Sequence, residues 1–375
     1  MIHIKRAYYY LKKEKMRIFI THITPQDKVL HYGLSVAAYN FSHNLVEGRL
    51  FEQVYSILPT CVTGDMEPFP GLVYYSSVRK NRYLRRIAPM LENISLFNRI
   101  QRNASIWYYN CTILNATLIL LLKLFKPSVK QQMIILDYTP SRKLFDKFLL
   151  WLSNHMNGTI RLANSHLFTC KNSICLPGVV PADEMQYPEI KEIRYEFLIS
   201  GALGYQISML PMLLEAFSEL PQCTLHITGN APDKELVAQY TSKYNNIIYH
   251  GMVSYDDFLQ ILHSIPFLLS TRNPKSPENQ CNFPSKIIEG LLHNRILLST
   301  LTYEQIDQIK YFIVGSTKDS FLNSLKKIIS MPKDLLLQYA NQSEKVKRQF
   351  SCEVWKNSMI EIEKGYPQQK RASSI

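Results

Sequence analysis

Three cations in the second half of the chain stand at spacings that suit one anion. Arg272 and Lys275 follow an apolar, β-rich run ending at Ser270, and Lys286 falls in the first turn of the helical pattern that begins at Ser285. A helix start carries unpaired N–H groups and a partial positive charge, so a cation there is slightly unfavourable unless an anion joins it. Three cations around such a start suit a diphosphate held by charge-assisted hydrogen bonds. Glu289 lies three residues after Lys286 on the same helix face, where both reach one ligand and a carboxylate can accept two hydroxyls of a ribose. A solvated lysine and a simple intrahelical Lys–Glu pair are the structural alternatives.

Glycines mark the same edge. Gly201 opens a small-residue turn after the strand-like run 196–200, and Gly229 and Gly251 follow the runs 224–228 and 247–250. In an open parallel sheet ligands bind just beyond the carboxyl ends of strands, where glycine lets backbone come close. Each is an ordinary turn glycine by itself; Gly229 and Gly251, one βα unit apart, together shape a crevice able to admit a base. In the first half, Asp137 follows the strand-like run 133–136 and precedes Tyr138-Thr139-Pro140. There it can orient an acceptor hydroxyl or assist proton transfer, with a helix-capping role as the alternative. His22 and Gly33 lie near the corresponding end of the first strand, where a glycine lets a second ligand approach closely.

The elements that must position these groups alternate strand and helix. Strand-like runs at 17–23, 53–58, 105–109 and 133–137 are separated by helical patterns, among them 33–44. A second series has strands at 196–200, 224–228, 247–250, 267–270 and 296–300 and helices at 208–220, 233–244, 255–264 and 285–293. This alternation predicts an α/β fold with two Rossmann-like domains built on parallel, doubly wound sheets. A length of 375 residues agrees with two such cores. The Pro- and Gly-rich stretch 176–181 and the charged run after it put the boundary near residue 190. The expected domains are 1–190 and 191–345, with a final segment 346–375; the pattern from Lys333 to about Gly365 is helical and belongs to neither sheet by its periodicity.

Charge separates the halves. Residues 1–190 hold 23 Lys+Arg against 12 Asp+Glu, while the remainder holds 20 against 18. A surplus in one half suits an anionic partner, whether an acidic membrane surface, a phosphorylated substrate or nucleic acid, although it also suits a solvated face. Basic residues from Arg79 to Arg102 interleave with apolar ones as one or two amphipathic helices broken near Pro89, a basic rim for peripheral contact with an anionic membrane. No base-stacking or groove-reading motif accompanies them, which argues against nucleic acid. The N-terminal residues lack a signal-peptide pattern, so a cytoplasmic location is expected. The 13 residues 113–125 are too few to cross a bilayer and read as a buried helix. Seven cysteines without a CxxC pair argue against both a disulfide framework and a structural zinc site.

The run from Asn282 to Leu292, NFPSKIIEGLL, closely resembles the N-x-F-P-S-K-x-x-E-Y-L pattern of family 4 (group 1) GT-B glycosyltransferases. The flanks at 200–203, 227–229, 247–253 and Phe350-Ser351 resemble family signposts in the same order. The resemblance covers about 195–360 well and 17–190 in outline. It implies two domains facing a cleft, a nucleoside-diphosphate sugar in the second, a glycan or lipid-linked acceptor in the first, and a final helix that crosses back. It further implies Ser285 and Lys286 on the diphosphate, Glu289 on the ribose, no metal or other cofactor, and retention of anomeric configuration. Such transfer fits surface polysaccharide synthesis. Two departures stand out. The family's second glutamate, eight residues before the one matching Glu289, is Cys281 here, and the nearest carboxylate is Glu278, taken as its catalytic substitute. The Arg and Lys often found after the first strand of this domain are missing from 204–208. A GT-B-like partner subunit without catalysis is the alternative these departures keep open.

Overall fold

The computed structural model of the protein describes residues 16–24, 36–58, 72–75, 82–181 and 186–365. Two wholly parallel sheets dominate it. The first has the order β3-β2-β1-β4-β5-β6-β7, with β1 Arg17–Thr21, β2 Gln53–Ile57, β3 Leu72–Tyr75, β4 Ser105–Tyr109, β5 Lys130–Ile135, β6 Gly158–Arg161 and β7 Ser173–Cys175. The second has the order β10-β9-β8-β11-β12-β13, with β8 Glu196–Ala202, β9 Thr224–Asn230, β10 Ile247–Gly251, β11 Phe267–Ser270, β12 Ile296–Ser299 and β13 Phe312–Ile313. Strand order reverses beside β1 in the first sheet and beside β8 in the second, and at such switch points adjacent loops diverge and leave a crevice.

Helices cover both faces. On one face of the first sheet lie α2 (Arg82–Arg99), α3 (Ile113–Phe125) and α4 (Leu144–Asn154), which bury Leu96, Leu118, Ile119, Leu122 and Leu152 against Ile18, Ile106 and Met133. The opposite face carries α1 (Val36–Glu47) and the last helix, α13 (Cys352–Lys364). That apolar layer continues into the second domain beneath α8 (Tyr255–Ser264), α9 (Ser285–Leu292) and α12 (Ser343–Phe350), so one core links the domains. The far face of the second sheet is covered by α6 (Leu210–Ser218), α7 (Lys234–Lys243) and α10 (Lys318–Ile329), with α5 (Tyr205–Ser208) at the end of β8 and α11 (Lys333–Leu337) ahead of α12.

Three readings change. The first sheet has seven strands where four were expected and the second six where five were, because β3, β6, β7 and β13 span only four, four, three and two residues and are too short to display alternation. Helix α2 runs unbroken through Pro89. Helix α3 is buried on one face only: Ala116, Leu118, Ile119 and Leu122 are inside, while Ile113, Leu124 and Phe125 face solvent. Gly33, Arg79 and Lys80 lie outside the described residues.

The crossing of α13 onto the first domain has specific anchors. Ser351 caps its first turn by accepting from Val354 N at 3.4 Å, and Trp355, fully buried, donates Nε1–H to Gly178 O at 2.7 Å. Near the far end, Glu363 Oε1 accepts from Arg17 Nε at 2.9 Å, Ser105 Oγ at 2.8 Å and Trp107 Nε1 at 3.0 Å. A Cβ on Gly158 would come within 2.4 Å of Ile362, so the start of β6 must be glycine for the helix to lie this close.

Candidate active site

The floor of the second domain's crevice is built from three neighbouring strand ends. Gly251 ends β10, while Gly201 and Gly229, expected just after their strands, lie one residue inside the ends of β8 and β9; their φ values are +74°, +109° and +119°. Gly201 and Gly229 face each other in the sheet, and a Cβ on Gly229 would stand 2.0 Å from Gly201 O. Nothing lies within 4 Å of the Cβ position at Gly251, so that turn opens onto free space.

Lys286 reaches back over this floor. Its Nζ donates to Ser200 Oγ at 3.0 Å and stands 4.6 Å from the centre of the Phe258 ring, and its Cε packs against Gly201. Burial lowers its pKa, and nearby Glu289 partly restores it. The N-terminus of α9 has Pro284 at its cap and no side-chain cap hydrogen bond, with Ser285 exposed at the first position. A half-buried ammonium beside an uncapped helix start is an arrangement that an anion stabilises. One turn on, Glu289 Oε1 accepts from Tyr255 Oη at 3.0 Å, which fixes the carboxylate at the mouth of the crevice; burial and then this carboxylate raise the Tyr255 pKa.

Arg272 follows β11 on the other side of the switch point. Thr300 Oγ1 accepts from its N–H and donates to its C=O, both at 2.7 Å, and its Nη1 donates to Asn279 Oδ1 at 3.0 Å. Desolvation lowers the guanidinium pKa, offset by Tyr303, Asp137 and Glu278. Glu278 lies half-buried in the 3₁₀ turn Pro277–Gln280. Asp137 extends from the first domain at the end of β5; its side chain is solvent-accessible, yet the crevice walls desolvate it enough to raise its pKa, with Arg272 opposing. Arg272 thus feels carboxylates of both domains. Lys275 is exposed, and no described contact joins its ammonium to these groups.

The first domain's own crevice is tied across. His22 Nδ1 donates to Ile57 O at 2.8 Å, which leaves Nε2 to accept from Thr112 Oγ1 at 3.1 Å. The bonds connect the ends of β1, β2 and β4, and burial lowers the imidazole pKa. With both nitrogens engaged, His22 braces the loops at this end of the first sheet. The domains meet just ahead of α9, where Asn282 Oδ1 accepts from Tyr138 N at 2.6 Å and buried Cys281 Sγ lies 3.4 Å from Ser165 Oγ.

Sequence reasoning singled out Lys286 and Glu289 but missed Ser200, Phe258 and Tyr255, which hold them. For Tyr255 a signal existed: Ser254 caps α8, its hydroxyl accepting from Asp257 N at 3.1 Å, and Ser254-Tyr255-Asp256-Asp257 is a helix start directly after a strand. Among the described residues no group of three or more His, Cys, Asp or Glu could hold a metal ion.

No protein-family model matches the sequence, and no curated protein matches it. Solved structures do share its shape. The N-terminal domain of Candida albicans trehalose-6-phosphate phosphatase aligns with a TM-score of 0.70 at 11% identity, over 94% of this chain and 99% of that one. Sucrose-phosphate synthase from Thermosynechococcus elongatus aligns with a TM-score of 0.66 at 11% identity, over 93% and 98%. The chain has the GT-B fold. A further GT-B neighbour is Anabaena HepE in complex with UDP and glucose, with a TM-score of 0.62 at 11% identity over 94% of this chain and 100% of that one. Lys286, Glu289 and Arg272 belong to the second domain of that fold and Asp137 to the first.

Proposed function

We propose that the protein is a glycosyltransferase that binds a nucleoside-diphosphate sugar in its second domain and transfers the sugar to an acceptor hydroxyl presented by the first. The carrying observation is the pair Lys286 and Glu289 on one helix face, each fixed by a partner from another element, Ser200 and Tyr255. Lys286, Arg272 and the α9 N-terminus meet the diphosphate with protein charge, without a metal ion, while Glu289 accepts the ribose hydroxyls. The complex of HepE with UDP and glucose supports the ligand class.

In the transfer step the acceptor oxygen bonds to the anomeric carbon as the bond from that carbon to the phosphate oxygen breaks. The nucleoside diphosphate leaves with the electron pair, its new charge stabilised by Lys286 and Arg272. The acceptor proton passes to the departing phosphate or to Asp137, whose raised pKa makes it a stronger base than an ordinary aspartate. Attack and departure on one face of the sugar retain configuration, with Glu278 the carboxylate beside the donor sugar. The acceptor in this reading is a glycan or a lipid-linked chain in surface polysaccharide synthesis.

Titration calorimetry with UDP, GDP and ADP, preceded by a thermal-shift screen of their sugars, tests the donor site. Glu289→Ala removes a charge-assisted contact and should weaken the preferred nucleotide about 10- to 100-fold. Unchanged affinity sinks the assignment. The packing of Cys281 against Ser165 favours one rival, a GT-B subunit without catalysis; nucleotide binding without turnover of any nucleotide sugar would select it.

A further inference from the structure

The helical layer over the outer face of the first sheet is unusually apolar on the side away from the core. Ten of the fifteen exposed large hydrophobic residues among the described ones sit on its three helices. On α4, Leu144 is 84% exposed and Trp151 50%, and Phe145 and Phe148 complete the stripe. Their rings run in series, with centroids 6.4 Å apart for Phe145 and Phe148 and 6.0 Å for Phe148 and Trp151. Leu124 and Phe125 extend the surface at the end of α3, which Lys123 joins to α4 by donating to His155 O at 2.6 Å. Met90, Leu91 and Ile94 continue it on α2.

The same span is strongly basic. Residues 82–154 carry 11 Lys+Arg against 3 Asp+Glu, a surplus of 8 of the chain's formal +13. Arg142, Lys143 and Lys147 are exposed around the aromatic stripe. A protein partner would be expected to bring a shaped complement to the patch. An anionic bilayer needs only what is present, namely apolar and aromatic side chains to enter the headgroup boundary and basic ones to meet the lipid phosphates.

We propose that the α2–α3–α4 layer docks on an anionic lipid bilayer, with the stripe Leu144, Phe145, Phe148 and Trp151 inserted at the interface. The start of α4 is joined to Asp137 by a short loop, so docking here brings the lipid surface to the mouth of the acceptor crevice. The inference deepens the transferase reading by naming where a lipid-linked acceptor is met, and rests on that reading for this purpose alone.

The chain supplies its own probe. Of its three tryptophans, Trp107 and Trp355 are fully buried, so Trp151 dominates any solvent-sensitive emission. Full-length protein is titrated with phosphatidylcholine vesicles with and without phosphatidylglycerol, following emission wavelength, acrylamide quenching and co-sedimentation. Expected are a blue shift and protection from quenching on the anionic vesicles, weakened by salt and absent in Trp151→Phe. Phe145→Ser with Phe148→Ser, and separately Lys143→Glu with Lys147→Glu, should each cut vesicle affinity about tenfold or more while leaving the melting temperature unchanged. Sedimentation with unaltered Trp151 emission overturns the proposal, because the contact then lies elsewhere. Protection that rises with protein concentration without lipid also overturns it, in favour of a second copy of the chain. UDP calorimetry on the same preparations separates the two readings: nucleotide binding without vesicle binding removes the docking surface and keeps the donor site.

Discussion

Replacing Lys286 by Met should make the protein more stable and a poorer nucleotide binder at once. The ammonium is half-buried against Phe258 and Gly201, with a neutral hydroxyl, Ser200, as its hydrogen-bond acceptor 3.0 Å away. Its neighbour Glu289 is already bonded to Tyr255. Withdrawing a charge from water for so few partners costs free energy, and a thioether of similar length keeps the packing. The gain in the empty protein should be about 1 kcal/mol, or ~2–4 °C in the melting temperature of a domain this size. With a diphosphate present the sign reverses, since the charge-assisted bond is worth about 1.5–3 kcal/mol and its loss weakens binding roughly 10- to 100-fold. The pH dependence supplies a second readout. A lysine whose pKa is lower in the folded than in the unfolded state binds fewer protons when folded, so wild-type stability should climb as alkaline pH rises from the lowered value towards 10.5. The Met variant should lack that climb. Differential scanning fluorimetry across alkaline pH, paired with calorimetry of UDP binding, measures both. A variant that melts lower and binds UDP with wild-type affinity would refute the reasoning, because Lys286 would then be a packing residue that no ligand touches.

Two further outcomes follow from groups outside the cleft. Glu363→Ala should destabilise the protein by roughly 3 kcal/mol, because it leaves Trp107 Nε1 buried without its acceptor and Arg17 without this carboxylate; denaturant unfolding would show a lowered midpoint and proteolysis an earlier cut at α13, and an unmoved midpoint would dismiss the anchor. The pairs His226–His250 and His263–His293, with ring nitrogens 3.0 and 2.7 Å apart, should weaken the fold in acid. Burial, helped by the partner imidazole and a nearby arginine, pushes His226 down to about 4 and His293 to about 3. The unfolded chain then binds more protons, so stability present above pH 6.5 should be lost progressively towards pH 4. His226→Gln should flatten the slope of unfolding free energy over that window, and an unchanged slope would assign the acid sensitivity to other groups.

What was legible in the sequence depends on how local the cause is. Strands 196–200, 224–228 and 267–270 were readable because each is an apolar run ended by a turn, and the structure places strands at Glu196–Ala202, Thr224–Asn230 and Phe267–Ser270. Strand β6 was not, since its four residues begin with Gly158, a glycine required by the approach of Ile362 from the far end of the chain. The site divides in the same way. Lys286 and Glu289 share a helix, and three-residue spacing declares their common face. Their holders are Ser200, 86 residues before Lys286, and Tyr255, 34 before Glu289, and nothing in the local pattern of either names its partner. The partners of His22 are distant in the same way. Its Nε2 accepts from Thr112, 90 residues on, a bond that no local pattern announces.

Cys281 shows how such distant contacts change the meaning of a departure from a pattern. Read alone, a cysteine where a carboxylate is expected is a missing group. In the fold that position is buried, with its sulfur against Ser165 of the first domain, and the adjacent Asn282 accepts from Tyr138 N. A glutamate at 281 would carry a charge into this junction, where one serine hydroxyl is the described partner, and it would be stable only with the domains apart or its proton retained. The neutral thiol lets the domains close at this point without that cost. Under the proposed function, the negative charge near the donor then falls to Asp137 and Glu278, both of which interact electrostatically with Arg272. Closure and charge placement are thus separated in this chain, the first carried by residues 281 and 282 and the second by the carboxylates that act on the arginine.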